Sequence, residues 1–316
     1  MSSRRQFLRG AVPLTAGVLM SCSRSDPPDR YRLPEHPLEV LTSTVQVADL
    51  IKEIGGDAVK VRSLIPAEAN PHLWEPRATD LAEIQLADVF FLSGLGLEAR
   101  FSTDLEELRR RGLTVGVLDN SLADIDILMQ ANDKPEPHFW LDPQLWAKAS
   151  HYAATVLAEA SPPAKHWFAD RSHEYTTRLE KLYSDTTRNL VDIPARVRFL
   201  LTSHDSMAYF GHAFNIEVRS IASSAGSAPA QPSQELQNWL SEHRIRALFR
   251  EQFADLQTIR AIARPLSLNS DFQIFGLSLA KAGTRFPGVS SELEVDCYLG
   301  AWQYTSETIL GRLAIE

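Results

Sequence analysis

Cysteine is nearly absent from this 316-residue chain, which has only Cys22 and Cys297. Two cysteines cannot build a thiolate cluster, so a cysteine-based zinc or iron–sulfur site is excluded. If Cys22 is consumed by modification, one thiol remains and no intramolecular disulfide is expected. Excess positive charge is also missing. The formal net charge is −8, and the first 22 residues hold three arginines and no acids, so the remainder stands at −11. Nucleic-acid binding needs basic clusters to neutralise phosphates, and this balance argues against it. It mildly favours the approach of cations. No apolar run reaches the ~20 residues that a permanent membrane span requires. No His-Glu-x-x-His segment occurs, so the common zinc-hydrolase motif is lacking.

The N-terminus reads as an address. Arg4-Arg5-Gln6-Phe7-Leu8 is a twin-arginine pattern, and the short apolar stretch Ala11 to Met20 follows it. A basic segment before a short apolar one reads as an export signal. The stretch ends Leu19-Met20-Ser21-Cys22, which resembles a bacterial lipoprotein box and makes Cys22 the expected lipidation site. Residues 23–36, polar and proline-bearing, read as a flexible tether.

Beyond the tether, β and α patterns alternate. Strands are expected at 38–42, 59–65, 89–93 and 114–118, and again at 197–202, 216–221, 247–250 and 272–275. Helical patterns lie between them, and a last helix is expected over about 297–313. This βαβ alternation predicts an α/β fold of two lobes, each a mostly parallel sheet covered by helices. Residues 163–190 form one long amphipathic stretch of roughly 40 Å at 1.5 Å per residue, too long for a small lobe. It is read as a rigid helix linking an N-terminal lobe (37–160) to a C-terminal lobe (191–316), with the linking segment at 161–190. Ala222 to Pro232 reads as a mobile connection. No sequence repeat relates the halves.

Three histidines stand apart from the other six. Pro71-His72, Pro137-His138 and Ser203-His204 each lie in a turn-like context near an apolar run. Neutral imidazole is a common ligand for zinc and its neighbours. Three ligands from distant segments meet only if the fold converges their loops, which is how a preformed metal site is built. His36, His151, His166, His173, His212 and His243 lie in the tether or on helical stretches and read as solvated or packing residues.

The surrounding motifs carry a resemblance. Asn70-Pro71-His72-Leu73-Trp74-Glu75-Pro76, Gly94-Leu95-Gly96-Leu97-Glu98, Pro137-His138-Phe139-Trp140-Leu141-Asp142-Pro143 and Thr202-Ser203-His204-Asp205-Ser206-Met207-Ala208 follow one another in an order and spacing similar to the metal-binding lipoproteins of zinc and manganese ABC importers. The resemblance runs from about residue 38 to the end. It implies a two-lobed solute-binding protein, not an enzyme, with the metal ligands at His72, His138 and His204. It also implies an ABC permease and its ATPase as partners, a periplasmic or cell-surface location with a lipid anchor on Cys22, and one metal ion per chain. No heptad or obvious association surface is present, so a monomer is expected.

The chain departs from the family at the fourth ligand. Leu277, in Ile274-Phe275-Gly276-Leu277-Ser278-Leu279-Ala280-Lys281, stands where an aspartate is common. Glu251 and Asp271 are the alternative carboxylates, and water is the third option. Asp142 and Asp205 follow two of the histidines closely and are candidates to accept the second ring N–H of a bound imidazole, although Asp142 before Pro143 also suits a helix cap. Three imidazoles without an obvious carboxylate favour Zn2+ over Mn2+ or Fe2+. A zinc hydrolase, and an adhesin or metal-sensing surface protein, are the competing readings.

Overall fold

The computed structural model describes residues 33–98, 105–222, 232–252, 254–287 and 292–314. The export signal, Cys22 and most of the tether lie outside the described residues, as does nearly all of the Ala222 to Pro232 connection.

Lobe 1 opens with β1 (Leu38–Thr42), α1 (Val45–Gly55), β2 (Val59–Ser63), α2 (Ala78–Leu86), β3 (Val89–Leu92), α3 (Leu105–Arg110) and β4 (Thr114–Val117). Its strands pair in the order β2-β1-β3-β4, every pair parallel. The fully buried run Val89-Phe90-Phe91-Leu92 is what a parallel strand covered on both faces requires. Thr44 starts α1 by accepting from the Val47 amide (3.4 Å), the usual N-cap device. Gly56 ends it at φ +51°, and a β-carbon there would press on Trp167, so glycine serves both the left-handed turn and the close approach. Helix α2 starts after Arg77, whose amide donates to the Asp80 carboxylate (2.7 Å).

Helix α4 (Pro143–Ala160) follows, with Pro143 at its first turn. After a 3-10 turn at Pro162–Ala164 comes α5 (Lys165–Leu190), 26 residues long, or about 39 Å. Phe168, Ser172, Tyr175, Leu179, Leu182, Thr186 and Leu190 form its buried stripe, spaced three and four apart as an apolar helix face demands. Its other anchors are polar. Trp167 Nε1 donates to the Gly55 carbonyl (2.7 Å) and Arg171 Nε to the Glu53 carbonyl (2.8 Å), satisfying the open C-terminal end of α1.

Lobe 2 contains β5 (Phe199–Thr202), α6 (Ala208–Phe214), β6 (Glu217–Ser220), α7 (Gln234–Glu242), β7 (Ala247–Glu251), α8 (Leu256–Ala263) and β8 (Asn269–Ile274), then the antiparallel pair β9 (Arg285–Pro287) and β10 (Glu292–Glu294), and last α9 (Tyr298–Leu313). The main sheet runs β6-β5-β7-β8, again all parallel. The lobes therefore share one strand order. They also share a local device: Thr42 Oγ1 donates to the Thr44 and Arg62 carbonyls, and Thr202 Oγ1 to the His204 and Arg219 carbonyls. A structural repeat is present where the sequence shows none.

Cys297 caps the start of α9 and is disulfide-bonded. This corrects the expectation that no intramolecular disulfide forms. Cys22 is the only other cysteine in the sequence.

The lobes are joined behind the cleft as well as through α5. Asp49 on α1 accepts from the Tyr298 amide at the start of α9 (2.9 Å). Burial first, then the charge of Glu53, pushes the Asp49 carboxyl up to about 7, against the opposing pull of Lys52 and Arg178. A carboxyl that holds its proton more tightly folded than unfolded makes the folded state the stronger proton binder between about pH 4 and 7. Stability should therefore fall as pH rises through that window. Asp49→Asn keeps an acceptor for the Tyr298 amide and should flatten the slope. Urea denaturation at pH 5 and pH 8 measures both.

Candidate metal centre

Strands of an open α/β lobe end at a crevice, and ligands bind outside their carboxyl ends. All three singled-out histidines lie on segments that leave such ends. His204 follows β5 by two residues, His72 lies in the loop after β2, and His138 lies between β4 and α4. Lobe 1 supplies two of them and lobe 2 the third.

Their rings meet. One ligand nitrogen from each of His72, His138 and His204 lies within 4.8 Å of the other two. The Nε2 atoms of His72 and His138 are 3.0 Å apart. Ring centroids are separated by 5.0 Å for His72 and His138, and by 5.4 Å for each of their pairings with His204. Zinc–imidazole bonds of about 2.0–2.1 Å in a tetrahedron place nitrogens roughly 3.3 Å apart, so small ring shifts would accommodate an ion. His138 is fully buried, His204 is 8% exposed and His72 is part-buried.

Burial, with the other two imidazoles adding to it, pushes His72 down to about 2. Burial first, then His204, moves His138 well below its ordinary value. Both rings are thus held neutral, with a lone pair available, as a metal ligand must be.

The turn around His138 explains its orientation. His72 is set by Asn70, whose side chain accepts the His72 amide (2.9 Å). For His138 the chain doubles back across Pro137, and Glu136 Oε1 lies against His138 Nδ1 in a short contact and accepts the His138 amide at 3.2 Å. Gln130 Nε2 donates to the other Glu136 oxygen (3.0 Å). Burial pushes the Glu136 carboxyl up to about 7. A carboxylate that accepts a hydrogen bond from Nδ1–H leaves the Nε2 lone pair facing the cluster. Sequence reasoning missed this role. The signal was present in Glu136-Pro137-His138, where a proline between carboxylate and imidazole turns one back upon the other.

The other expected residues fall differently. Asp142 caps α4 by accepting from the Gln144 amide (2.8 Å), the helix-cap alternative. Asp205 Oδ1 lies 3.5 Å from His204 Nδ1. Asp271 is exposed on β8 and paired with Arg260 at 3.2 Å. Glu251 is held differently. It is buried close to His204, but its oxygens take hydrogen bonds from Ser206 and from the amides of Gly276 and Leu277, and it is not part of the three-nitrogen cluster. Leu277 is buried. Among the described residues, no other group of three or more histidine, cysteine or acidic side chains is arranged this way.

Two parallel-sheet lobes bridged by one long helix, with imidazoles from both meeting between them, define a cleft-type solute-binding protein. The chain belongs to the family described as ZnuA, zinc-uptake complex component A periplasmic, whose model matches residues 40–307. Its relatives include the manganese-binding lipoprotein MntA of Bacillus subtilis, 28% identical over 261 residues that cover 82% of this chain and 84% of the relative. The zinc-binding protein TroA of Treponema pallidum is 27% identical over 282 residues, 87% of this chain and 88% of the relative. The solved structure of the periplasmic zinc-binding protein TroA matches with a TM-score of 0.77 at 24% identity, over 88% of this chain and 99% of that one, a likeness of fold.

Proposed function

We propose that this chain is the extracytoplasmic substrate-binding component of a metal ABC importer, with one zinc ion as its cargo held by His72, His138 and His204. The observation that carries this reading is the convergence of three imidazoles from both lobes within 4.8 Å. Imidazole suits zinc, whereas manganese favours carboxylate-rich sites, and no carboxylate joins the cluster among the described residues. Water completes the coordination. Iron also accepts imidazole and is the alternative to zinc at the same three nitrogens.

The manganese reading has its own support, since MntA carries a manganese-binding name. It requires a carboxylate to enter the cleft once the ion arrives, and Asp205, 3.5 Å from His204 Nδ1, is a candidate.

The partner is a permease with its ATPase, and docking that disturbs the His72 and His204 loops would open the site. No described helix is long and apolar enough to cross a membrane. Export by the twin-arginine signal at Arg4-Arg5 and lipidation of Cys22 supply the membrane address in this reading. The mass of the N-terminal peptide from membranes tests the lipid on Cys22. The import role is tested in the native host. Deleting the gene should lower cellular zinc under zinc limitation, and the wild-type gene, but not His204→Ala, should restore it. Unchanged zinc content in the deletion strain would reject the role.

The Glu136 contact makes a separate prediction. Partners that orient a ligating histidine typically contribute a factor of about 10–100 in metal affinity. Glu136→Ala should therefore weaken zinc binding within that range while leaving one ion per chain, measured by competition with a chromophoric chelator. An unaltered affinity would remove Glu136 from the site.

A further inference from the structure

Glu251 ends β7 and is 1% exposed. Its Oε1 accepts from Ser206 Oγ (2.7 Å), and its Oε2 accepts from the amides of Gly276 (3.0 Å) and Leu277 (3.2 Å). Its own amide donates to Ser203 Oγ (3.0 Å). One residue thus grips the chain on both sides of His204 and ties it to the loop after β8. Gly276 is required at this junction, since a β-carbon would fall 2.5 Å from Glu251 Oε1 and 2.8 Å from Ser206 Oγ.

The same loop is held from lobe 1. Trp140 Nε1 donates to the Gly276 carbonyl (2.9 Å), and Gln46 Nε2 donates to the Leu277 carbonyl in a short contact. Trp140 lies edge-on to His138, with ring centroids 5.2 Å apart. A continuous path of hydrogen bonds and packing therefore runs from His138 through Trp140, Gly276-Leu277 and Glu251 to the flanks of His204. It joins the ligands of the two lobes without passing through a metal.

We propose that Glu251 is a positioning residue for the metal. It fixes the distance between the His204 loop and the lobe 1 ligands by clamping the Gly276-Leu277 loop, and it does so without coordinating the ion. This role rests on the zinc reading above. Two observations separate it from direct ligation. Both carboxylate oxygens are already engaged by neutral donors. Lobe 1 also carries a comparable carboxylate, Glu98, which accepts from Ser43 Oγ and from the amides of Ser93 (2.9 Å) and Gly94 (3.1 Å). There Thr44 occupies the place in Leu41-Thr42-Ser43-Thr44 that His204 has in Leu201-Thr202-Ser203-His204. A buried carboxylate that clamps a serine hydroxyl and two loop amides is thus a device of both lobes, and in lobe 2 it is coupled to a ligand.

The matched carboxylates supply the test, made on the full chain with Glu251→Gln and Glu98→Gln. A glutamine carbonyl can still accept the two loop amides, but its NH2 reverses the bond with Ser206. Glu251→Gln should weaken zinc affinity about tenfold, the lower end of what such supporting contacts contribute, and should speed zinc release to a chelator. The visible spectrum of its cobalt form should match that of the wild type, because no ligand is lost. Glu98→Gln should leave zinc affinity unchanged. Equal affinity losses in both variants would reduce Glu251 to fold stability and overturn the proposal. Unchanged affinity in Glu251→Gln would overturn it as well, and so would a cobalt spectrum that reports a lost ligand. If Glu251→Gln does not fold, Ser206→Ala removes only the arm beside His204 and carries the same expectations. A wild-type chain that binds no zinc overturns the function proposed above; a zinc-binding wild type with an unaffected Glu251→Gln overturns this role alone.

Discussion

His204→Ala is expected to weaken zinc binding by two to three orders of magnitude. A tightly held zinc ion is bound by about 10–16 kcal/mol, or roughly 3–4 kcal/mol for each of four ligands, and each 1.4 kcal/mol is about a factor of ten. His204 is the cluster's contribution from lobe 2, so its loss also removes the bond that joins the lobes through the ion. His72→Ala leaves one imidazole from each lobe and should cost a similar factor while preserving the bridge. Titration of the metal-free variants against a chelator of known affinity gives both numbers. An affinity for His204→Ala within a few-fold of wild type would place the ion elsewhere.

Zinc should also raise the unfolding temperature. A ligand that binds only the folded chain, at a thousand times its Kd, adds about 4 kcal/mol. At about 2–4 °C per kcal/mol for chains of this general size, this is a rise of roughly 8 °C or more. The expected gain is cooperative across the molecule because the ion bridges lobes that α5 and the Asp49–Tyr298 contact already hold together. Calorimetric scans with zinc and with excess chelator should differ by this amount in the wild type. They should coincide in a variant with all three histidines changed to alanine. A zinc-induced rise that persists in that variant would assign the stabilisation to surface binding.

Much of this was legible in the sequence, for identifiable reasons. Strands read true where both faces are covered, as in Val89-Phe90-Phe91-Leu92, because burial leaves a continuous apolar run. The long helix was visible because its buried stripe repeats over 26 residues. The three histidines stood out through Pro71, Pro137 and the strand end at Thr202, local contexts that direct a side chain out of a turn. What escaped was decided by contacts through space. Asp142 and Glu136 are each close to His138 in the chain, and only the turn at Pro137 selects Glu136. Glu251 has the charge of a ligand, yet its oxygens are claimed by Ser206 and by amides 25 and 26 residues further along. The repeat of strand order between lobes was hidden because it resides in hydrogen bonds of Thr42 and Thr202, and little of the surrounding sequence follows it.

The most direct test of the account is a competition of zinc against manganese for the metal-free full-length chain, followed by calorimetry with elemental analysis of the product. A three-imidazole site predicts one zinc per chain, undisplaced by a large excess of manganese. Retention of manganese in preference to zinc would contradict it, and would mean that a carboxylate outside the His72, His138 and His204 cluster governs the choice of metal.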